Sequence, residues 1–414
     1  MNKELFDIVK QIVAKHGDSV LSEPRRVSAF FADLARNVPK PQKNSFIKCL
    51  EQGFAQVLKD TGDTGRSGCK QGLVVKLNEE GLDLGLCVQT IELLSAALFG
   101  VENQVNNNEI ASSNSATTIE ARAFELKQLT NFTIPNSITT IGEWAFWGNQ
   151  LTTVIIPGSV ISIGESAFSD NKLTNVFIPN SVVSIGGSAF ANNQLTSVII
   201  PNSITTVEGG MFRNNKLSLI TIPNSVTTIE DVAFSDNQLT SVIIPDNVIT
   251  IGNYAFSKNY IRSITISNSV TTIGQGAFSD NQLTGITIPN SVTTIGEYAF
   301  YKNQLTNLII PNSLKVIEKF TFWQNRLTSV TIPNNVTTIR KRAFSENRLI
   351  SVSIPNSVAA IGEYAFSDNP LNNITIGENV DLAKWAFDNE FAVFYNSQGR
   401  RAGTYTLDNG RWRV

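Results

Sequence analysis

The sequence predicts an α-helical bundle, then a solenoid of parallel β-strands joined by short coils, then a small β-hairpin cap. Three observations support this. One pattern returns every 22 residues from about residue 116, residues before 101 carry apolar side chains at helical spacing, and the repeat breaks after residue 388. The predicted parts are a bundle over 1–100, a linker over 101–115, a solenoid of about 12 repeats over 116–388, and a cap over 389–414.

Composition narrows the function before any motif is considered. The chain has 414 residues, a formal net charge of −2 and a single histidine, His16. A near-neutral chain is a poor generic binder of nucleic acid, and one histidine removes most chemistry that depends on a histidine base or ligand set. The N-terminus lacks the apolar core of a signal peptide, and no apolar run approaches the roughly 20 residues that span a bilayer. We therefore expect no membrane insertion and a cytoplasmic location, with the cell surface reached by a non-classical route as the alternative.

The N-terminal hundred residues have a composition of their own. Three segments place apolar side chains on one helical face, which predicts a compact bundle of four or five helices. The polar linker that follows is rich in Asn and Ser. The three apolar stripes are Leu5, Ile8, Val9, Ile12 and Val13; Phe46, Leu50, Phe54, Val57 and Leu58; and Leu84, Cys87, Ile91, Leu94 and Leu98.

The 22-residue repeat is defined by columns of identical residues. A proline column runs from Pro135 to Pro355 and an asparagine column from Asn149 to Asn369. A unit of this length cannot bury its own apolar face, whereas stacked units can. The phenylalanine column comprises Phe124, Phe146, Phe168, Phe190, Phe212, Phe234, Phe256, Phe278, Phe300, Phe322, Phe344 and Phe366, with Phe387 one residue early.

Each column has a physical interpretation, illustrated by the repeat LTSVIIP. Alternation predicts that Leu195, Val198 and Ile200 point inward and that Thr196, Ser197 and Ile199 point outward. The proline that follows ends the strand because it cannot donate to a ladder. Glycine after the second strand, as in Gly142, permits a close approach that a Cβ would hinder. The asparagine amide is expected to bond backbone groups at a turn.

The motif LTxVxIPxSVTxIGxxAFxxN resembles the BspA-like class of bacterial and protist leucine-rich repeats. The resemblance covers about residues 116–388, two-thirds of the chain, and recurs a dozen times. It implies a parallel-sheet horseshoe or rod that binds other macromolecules, often as an adhesin at a cell surface. Similar tails close other bacterial members, and here Asp408-Asn409-Gly410 predicts a hairpin turn that covers the open end.

Departures from the consensus supply the candidate binding residues. Two late repeats are rich in Lys and Arg, and the 22-residue spacing places Tyr298 beside Phe320 and Tyr301 beside Trp323. Outward aromatics with arginines are typical of binding hot spots, although local packing of large side chains explains them equally well. The candidates are Tyr298, Tyr301, Lys319, Phe320, Trp323, Arg326, Arg340, Lys341 and Arg342, with a second group of Trp144 and Trp147.

No catalytic, cofactor or metal site is predicted. The glycine-rich stretch at 62–72 lacks the Gly-Lys-[Ser/Thr] ending of a phosphate loop, and the three cysteines lack metal-ligand spacing. The sequence therefore predicts a non-enzymatic scaffold that binds a protein partner, with residues 1–100 docking or self-associating. A surface adhesin is the alternative, and an enzyme in the helical region is a remote one.

Overall fold

The computed structural model describes residues 116–387 and 389–414. The predicted helical bundle and linker lie outside these residues, as do His16, the cysteines and the 62–72 loop. The described part is a solenoid in which each coil contributes short strands that pair with the same positions of the neighbouring coils.

The first ladder is formed by the Thr-Ile segments that follow each proline turn. Thr118 pairs with Thr140 in parallel, and this 22-residue register recurs along the stack. The ladder is divided into sheets of four, five and four strands. Its strands are β1 Thr118–Ile119, β2 Thr140–Ile141, β4 Ser162–Ile163, β6 Ser184–Ile185, β7 Thr206–Val207, β8 Thr228–Ile229, β10 Thr250–Ile251, β12 Thr272–Ile273, β14 Thr294–Ile295, β16 Val316–Ile317, β17 Thr338–Ile339, β19 Ala360–Ile361 and β21 Asp381–Leu382.

The second ladder is formed by the segments that precede each proline, and its register is again 22 residues. Isolated parallel bridges extend it through Thr133, Ile199, Thr221 and Thr331. These pairings confirm the parallel-strand solenoid. The strands are β3 Thr153–Ile155, β5 Asn175–Phe177, β9 Ser241–Ile243, β11 Ser263–Thr265, β13 Gly285–Thr287, β15 Asn307–Ile309, β18 Ser351–Ser353 and β20 Asn373–Ile376.

The core is a continuous column of stacked phenylalanine rings. From Phe124 to Phe387, neighbouring rings lie 5.0–5.8 Å apart, centroid to centroid, and nearly parallel. Leu195, Val198 and Ile200 are buried as predicted. The outward assignment of Ser197 is wrong, because that side chain is buried as well.

The asparagine column forms a buried hydrogen-bond ladder that joins each coil to the one before it. Asn215 accepts from the Leu195 amide at 2.9 Å and donates to the carbonyls of Phe190 at 3.0 Å and Phe212 at 3.1 Å. The same set recurs in every coil from Asn149 to Asn369. The predicted amide-to-backbone bonding is confirmed, and it satisfies backbone groups that stacking would otherwise leave unpaired.

The glycine column marks a close approach between backbones, as predicted. A Cβ at Gly164 would lie 2.5 Å from the amide nitrogen of Glu143 in the preceding coil. Where Glu208 and Glu318 replace glycine directly after a glycine coil, the first ladder is interrupted, between β6 and β7 and between β14 and β16. We attribute both interruptions to the wedge that a Cβ introduces against a glycine coil, since Glu230 and Arg340, which follow coils without that glycine, leave the ladder continuous.

The C-terminal end of the stack is covered by a helix and a hairpin. Helix α1 spans Asn389–Ser397, a helix that the sequence analysis missed. Strands β22, Gly403–Asp408, and β23, Arg411–Arg413, form the predicted hairpin, and β22 continues the second ladder by pairing antiparallel with β20. Phe391, Tyr395 and Tyr405 are fully buried there. These aromatic groups shield the last coil from water.

Candidate interaction surface

One position in each coil, two residues before the stacked phenylalanine, holds its backbone in the left-handed region. Its φ is +59° at Trp144, +61° at Tyr298 and +61° at Phe320, and the same position is glycine at Gly210 and Gly276. A non-glycine residue in this region costs roughly 1–2 kcal/mol. The aromatic residues therefore occupy a position at which glycine would be less strained.

The core does not require an aromatic residue at this left-handed position. Ser166, Ser188 and Gly210 occupy it in three successive coils. The phenylalanines two residues later in those coils are as completely buried as Phe300 and Phe322 in the aromatic-rich repeats. Core packing alone therefore does not explain why the late repeats carry aromatic residues at this position.

The late aromatics form one connected group. We call Tyr298, Tyr301, Phe320, Trp323 and Arg342 the aromatic cluster. Tyr298 stacks on Phe320 at 4.5 Å between centroids, and Tyr301 stacks on Trp323 at 4.7 Å. Phe320 and Trp323 join the two stacks at 5.4 Å, and the Arg342 guanidinium lies 5.4 Å from the Trp323 ring. All five side chains are half-buried, so each contributes both to packing and to the surface.

A carboxylate in the next coil fixes the orientation of the tryptophan. The Trp323 indole N–H donates to Glu346 Oε1 at 2.9 Å, and Gln324 donates to Oε2 of the same carboxylate at 2.8 Å. Arg342 lies 4.0 Å from Glu346. An indole held by stacking, a hydrogen bond and a cation loses little freedom when a partner binds.

Several of the predicted cations form ion pairs between coils. Lys319 lies 2.9 Å from Glu297, and Lys341 lies 2.9 Å from Glu363. These pairs are partly exposed and add little to stability, but they reduce the free positive charge of the surface. Arg340 pairs with Glu318 at 3.5 Å.

Arg326 stands apart from the aromatic cluster. Its side chain is exposed, and no ion pair or side-chain hydrogen bond joins it to the cluster within the described coils.

Tyr298, in contrast, lies among the packed rings of the cluster. Burial, followed by the nearby Glu297 carboxylate, raises the pKa of its phenol above the usual value. The Tyr298 hydroxyl is therefore a neutral hydrogen-bonding group at physiological pH.

The sequence analysis missed three members of the same column. Tyr364 lies under Arg342 at 5.2 Å and is parallel to Trp385 at 6.5 Å. Tyr254 leans over Gly276, where an added Cβ would lie 2.3 Å from its ring. The 22-residue spacing of Tyr254 and Tyr364 from Phe320 was the available signal, and Trp385 follows one residue early because the last repeat is shorter. The column of aromatic residues, exposed at Tyr254 and half-buried at Tyr364 and Trp385, thus extends well beyond the two repeats first selected.

The second predicted group lies far along the chain and is built in the same way. Trp144 and Trp147 meet edge to face at 5.3 Å, and Arg122 lies 5.3 Å from the Trp144 ring. The Trp147 indole donates to Asp170 at 3.0 Å, 23 residues ahead, as Trp323 does to Glu346. The two groups therefore share the indole-to-carboxylate hydrogen bond to the next coil.

Two further observations concern the described residues alone. Their helix is not long and apolar enough to cross a membrane. Within 116–387 and 389–414, no three or more His, Cys, Asp or Glu side chains converge in a group suited to a metal ion.

The structure is a leucine-rich-repeat solenoid. Its defining features are coils in 22-residue register, a buried asparagine ladder and a column of stacked phenylalanine rings. The family model described as BspA type leucine rich repeat region (6 copies) matches residues 99–218, 205–325 and 273–393. The chain belongs to this BspA-type family. No curated protein matches the chain.

Two solved structures illustrate the similarity. A leucine-rich repeat protein from Bacteroides ovatus ATCC 8483 is 24% identical, with a TM-score of 0.51, over 64% of this chain and 77% of that one. This likeness supports the fold. A leucine rich cell surface protein from Faecalibacterium prausnitzii A2-165 is 28% identical, with a TM-score of 0.43, over 63% of this chain and 83% of that one.

Proposed function

We propose that the protein is a non-enzymatic recognition scaffold and that the aromatic cluster binds a protein partner. One observation carries the proposal. Tyr298 and Phe320 occupy left-handed positions at which Ser166 and Gly210 build an equally buried core. Because serine or glycine is sufficient there, the core does not require the large rings, and clustered aromatic side chains at a surface are typical of binding hot spots.

The chemistry of the cluster favours a protein as the partner. Large aromatic rings, a tyrosine hydroxyl and a guanidinium on a rigid support are the groups enriched in protein–protein hot spots. Lys319 and Lys341 are paired with carboxylates, which reduces the positive charge available to a nucleic acid.

The test replaces Phe320 and Trp323 by serine, the residue found at the equivalent positions Ser166 and Ser169. The full chain is immobilised and partners are captured from a lysate of the source organism, followed by titration of the dominant partner. We expect affinity to fall at least about 30-fold, the loss typical of a truncated hot spot. Thermal unfolding should change little, since Ser166 supports an intact coil.

The matched control is Tyr260→Gln. Tyr260 is also an exposed aromatic, and Gln238 and Gln282 occupy its position in the neighbouring coils. Its removal should leave capture unchanged. Equal capture by the serine variant and the control would contradict the proposal. A large loss of thermal stability in the serine variant would assign the rings to the core instead.

The role of residues 1–100 and the location of the protein are part of the same proposal. We assign the N-terminal region to docking or self-association on the basis of its amphipathic spacing, and light scattering of the full chain measures the latter. The cytoplasm remains the expected location. Surface labelling of intact cells that reaches the protein would favour the adhesin alternative.

A further inference from the structure

The edge of β23 that faces away from β22 is open. Strand β23 is the last in the order β18-β20-β22-β23, and the described residues place a neighbouring strand on one side of it only. Asn409 and Gly410, both with positive φ, form a two-residue turn, and the residues that flank such a turn are a hydrogen-bonded pair. Because hydrogen-bonded and non-hydrogen-bonded pairs alternate in an antiparallel ladder, the backbone N–H and C=O of Trp412 point away from β22. No described backbone group outside the hairpin bonds to them.

A groove of about 480 Å³ lies between this strand and helix α1. Phe391 on the opposite face of the helix is buried in the cap, and the half-buried Trp412 ring packs against it at 4.9 Å. Val393, on the groove side, is 67% exposed. A helix beside an open strand edge is the arrangement in which several domains bind an extended peptide as an added strand. The helix contributes Glu390, Val393, Phe394 and Ser397, and the hairpin contributes Gly410, Arg411 and Trp412.

The charge of the hairpin favours an acidic occupant. Arg411 and Arg413 are exposed, and the alternation of side chains along a strand places both on the face opposite to Trp412. Arg413 lies 3.3 Å from Asp408, whereas Arg411 forms no ion pair within the described part of the chain. Among the groove residues Glu390 alone is acidic. Carboxylates of an added strand are therefore favoured on the arginine face, away from the helix.

We propose that the cap binds an extended acidic peptide, which adds to β23 as an antiparallel strand beside helix α1. The peptide residue opposite Trp412 exchanges two backbone hydrogen bonds with it and directs an apolar side chain toward Val393 and Phe394. The two neighbouring peptide residues point to the other face, where their carboxylates meet Arg411 and Arg413. The expected motif is an apolar residue between two acidic residues. This site is separate from the aromatic cluster and goes beyond the function proposed above.

The same arginines disfavour a second copy of the chain as the occupant. Two copies of β23 paired antiparallel about Trp412 would place Arg411 opposite Arg413 twice, and like charges directly opposite destabilise a strand pair. Charged side chains on an open strand commonly prevent such edge-to-edge association. The strand has three residues, so backbone pairing alone supplies few hydrogen bonds. The sign of the side-chain charge therefore decides which strand is accepted.

The test titrates the full chain with a fluorescent, acetylated and amidated peptide of sequence SDEVEDS. Its matched control carries an N-methyl group on the valine, which removes the hydrogen bond to the Trp412 carbonyl without a change of charge. We expect the methylated peptide to bind about tenfold more weakly. Amide hydrogen exchange at Trp412 should slow about fivefold when the parent peptide is bound, because its N–H then donates to the peptide.

Two single variants separate the site from diffuse positive charge. Arg411→Thr removes a cation of the open strand and keeps a side chain suited to a strand, whereas Arg401→Thr removes an exposed cation that precedes β22. Affinity for the peptide should fall about fivefold in Arg411→Thr and less than about twofold in Arg401→Thr. Thermal unfolding should be the same for both variants.

Three results would overturn the proposal: no detectable binding of the parent peptide, equal binding of the two peptides, or equal losses in the two variants. Protection of Trp412 that rises with protein concentration in the absence of peptide would assign the edge to a second copy instead. The variant that replaces Phe320 and Trp323 by serine should bind the peptide with unmodified affinity. The failure of one proposal is thus distinguishable from the failure of the other.

Discussion

Replacing Asn215 by aspartate removes a donor from the centre of the asparagine ladder while conserving shape. In the native chain, one side of the amide accepts from Leu195, and the other side faces the carbonyls of Phe190, Phe212 and Arg213 at 3.0, 3.1 and 3.3 Å. Aspartate keeps the acceptor for Leu195. Its second oxygen, however, cannot donate, so the three carbonyl oxygens face another acceptor where the native chain supplies amide N–H groups.

The size of the effect follows from those contacts. The amide has two hydrogens, so two carbonyls lose their donor, and each unsatisfied buried group costs about 1–3 kcal/mol. A total of about 4 kcal/mol corresponds to a fall in Tm of roughly 5 °C for a chain of this size. Burial also raises the pKa of the introduced carboxyl, so the loss should grow as pH rises above about 4 and lessen where the acid is protonated and can donate.

Thermal unfolding of Asn215→Asp and Asn214→Asp at neutral and acidic pH measures this effect. Asn214 is the neighbouring residue, but it is exposed at a left-handed turn where Asp236 sits in the next coil. Its substitution should cost less than about 1 kcal/mol. Equal losses for the two variants, or a loss below about 1 kcal/mol at Asn215, would refute the ladder as a source of stability.

Two further predictions concern Glu208. Burial, followed by repulsion from Glu230, raises the pKa of the Glu208 carboxyl. The folded state therefore binds this proton more tightly than the unfolded state, and stability is lost as pH rises above the usual value of 4.5. Glu208→Gln should raise Tm by roughly 1–2 °C at pH 7 and leave it unchanged near pH 3.5; an equal gain at both would exclude charge as the cause. Glu208→Gly should remove the Cβ that separates the coils, restore the ladder between β6 and β7, and slow amide hydrogen exchange at Thr206 and Val207. Unchanged exchange at these two residues would show that the Cβ does not interrupt the ladder.

The interior of the solenoid could be predicted because each inward position has one simple requirement. A phenylalanine or a leucine every 22 residues can only be buried if equal coils stack in register, and the rings of Phe146 and Phe168 lie 5.1 Å apart as that demands. Ser197 shows the limit of alternation. It lies on the outward face of its strand by pattern, yet it is buried, so alternation alone does not predict exposure.

The conformation beneath the aromatic cluster could not be predicted from the aromatics themselves. Tyr, Phe and Trp favour extended backbone, so Tyr298 and Phe320 give no indication of positive φ. Only Gly210 and Gly276, at the same position in other coils, carry that signal. The interruptions at Glu208 and Glu318 were equally hidden, because a missing glycine shows where a close approach is disturbed but not how the stack responds.

The asparagine ladder and the outward aromatics are linked physically. Each coil is fixed to the next by buried hydrogen bonds that do not involve the outward position, so that position can hold serine, glycine, tyrosine or arginine without loss of the core. Roughly 1–2 kcal/mol of backbone strain at each aromatic is affordable only because the stack imposes the conformation. Lysines beside the cluster are paired across coils, as at Lys319 and Glu297. In the proposed complex, specificity would come mainly from the shape of the stacked rings, which predicts that binding depends weakly on salt and strongly on Trp323.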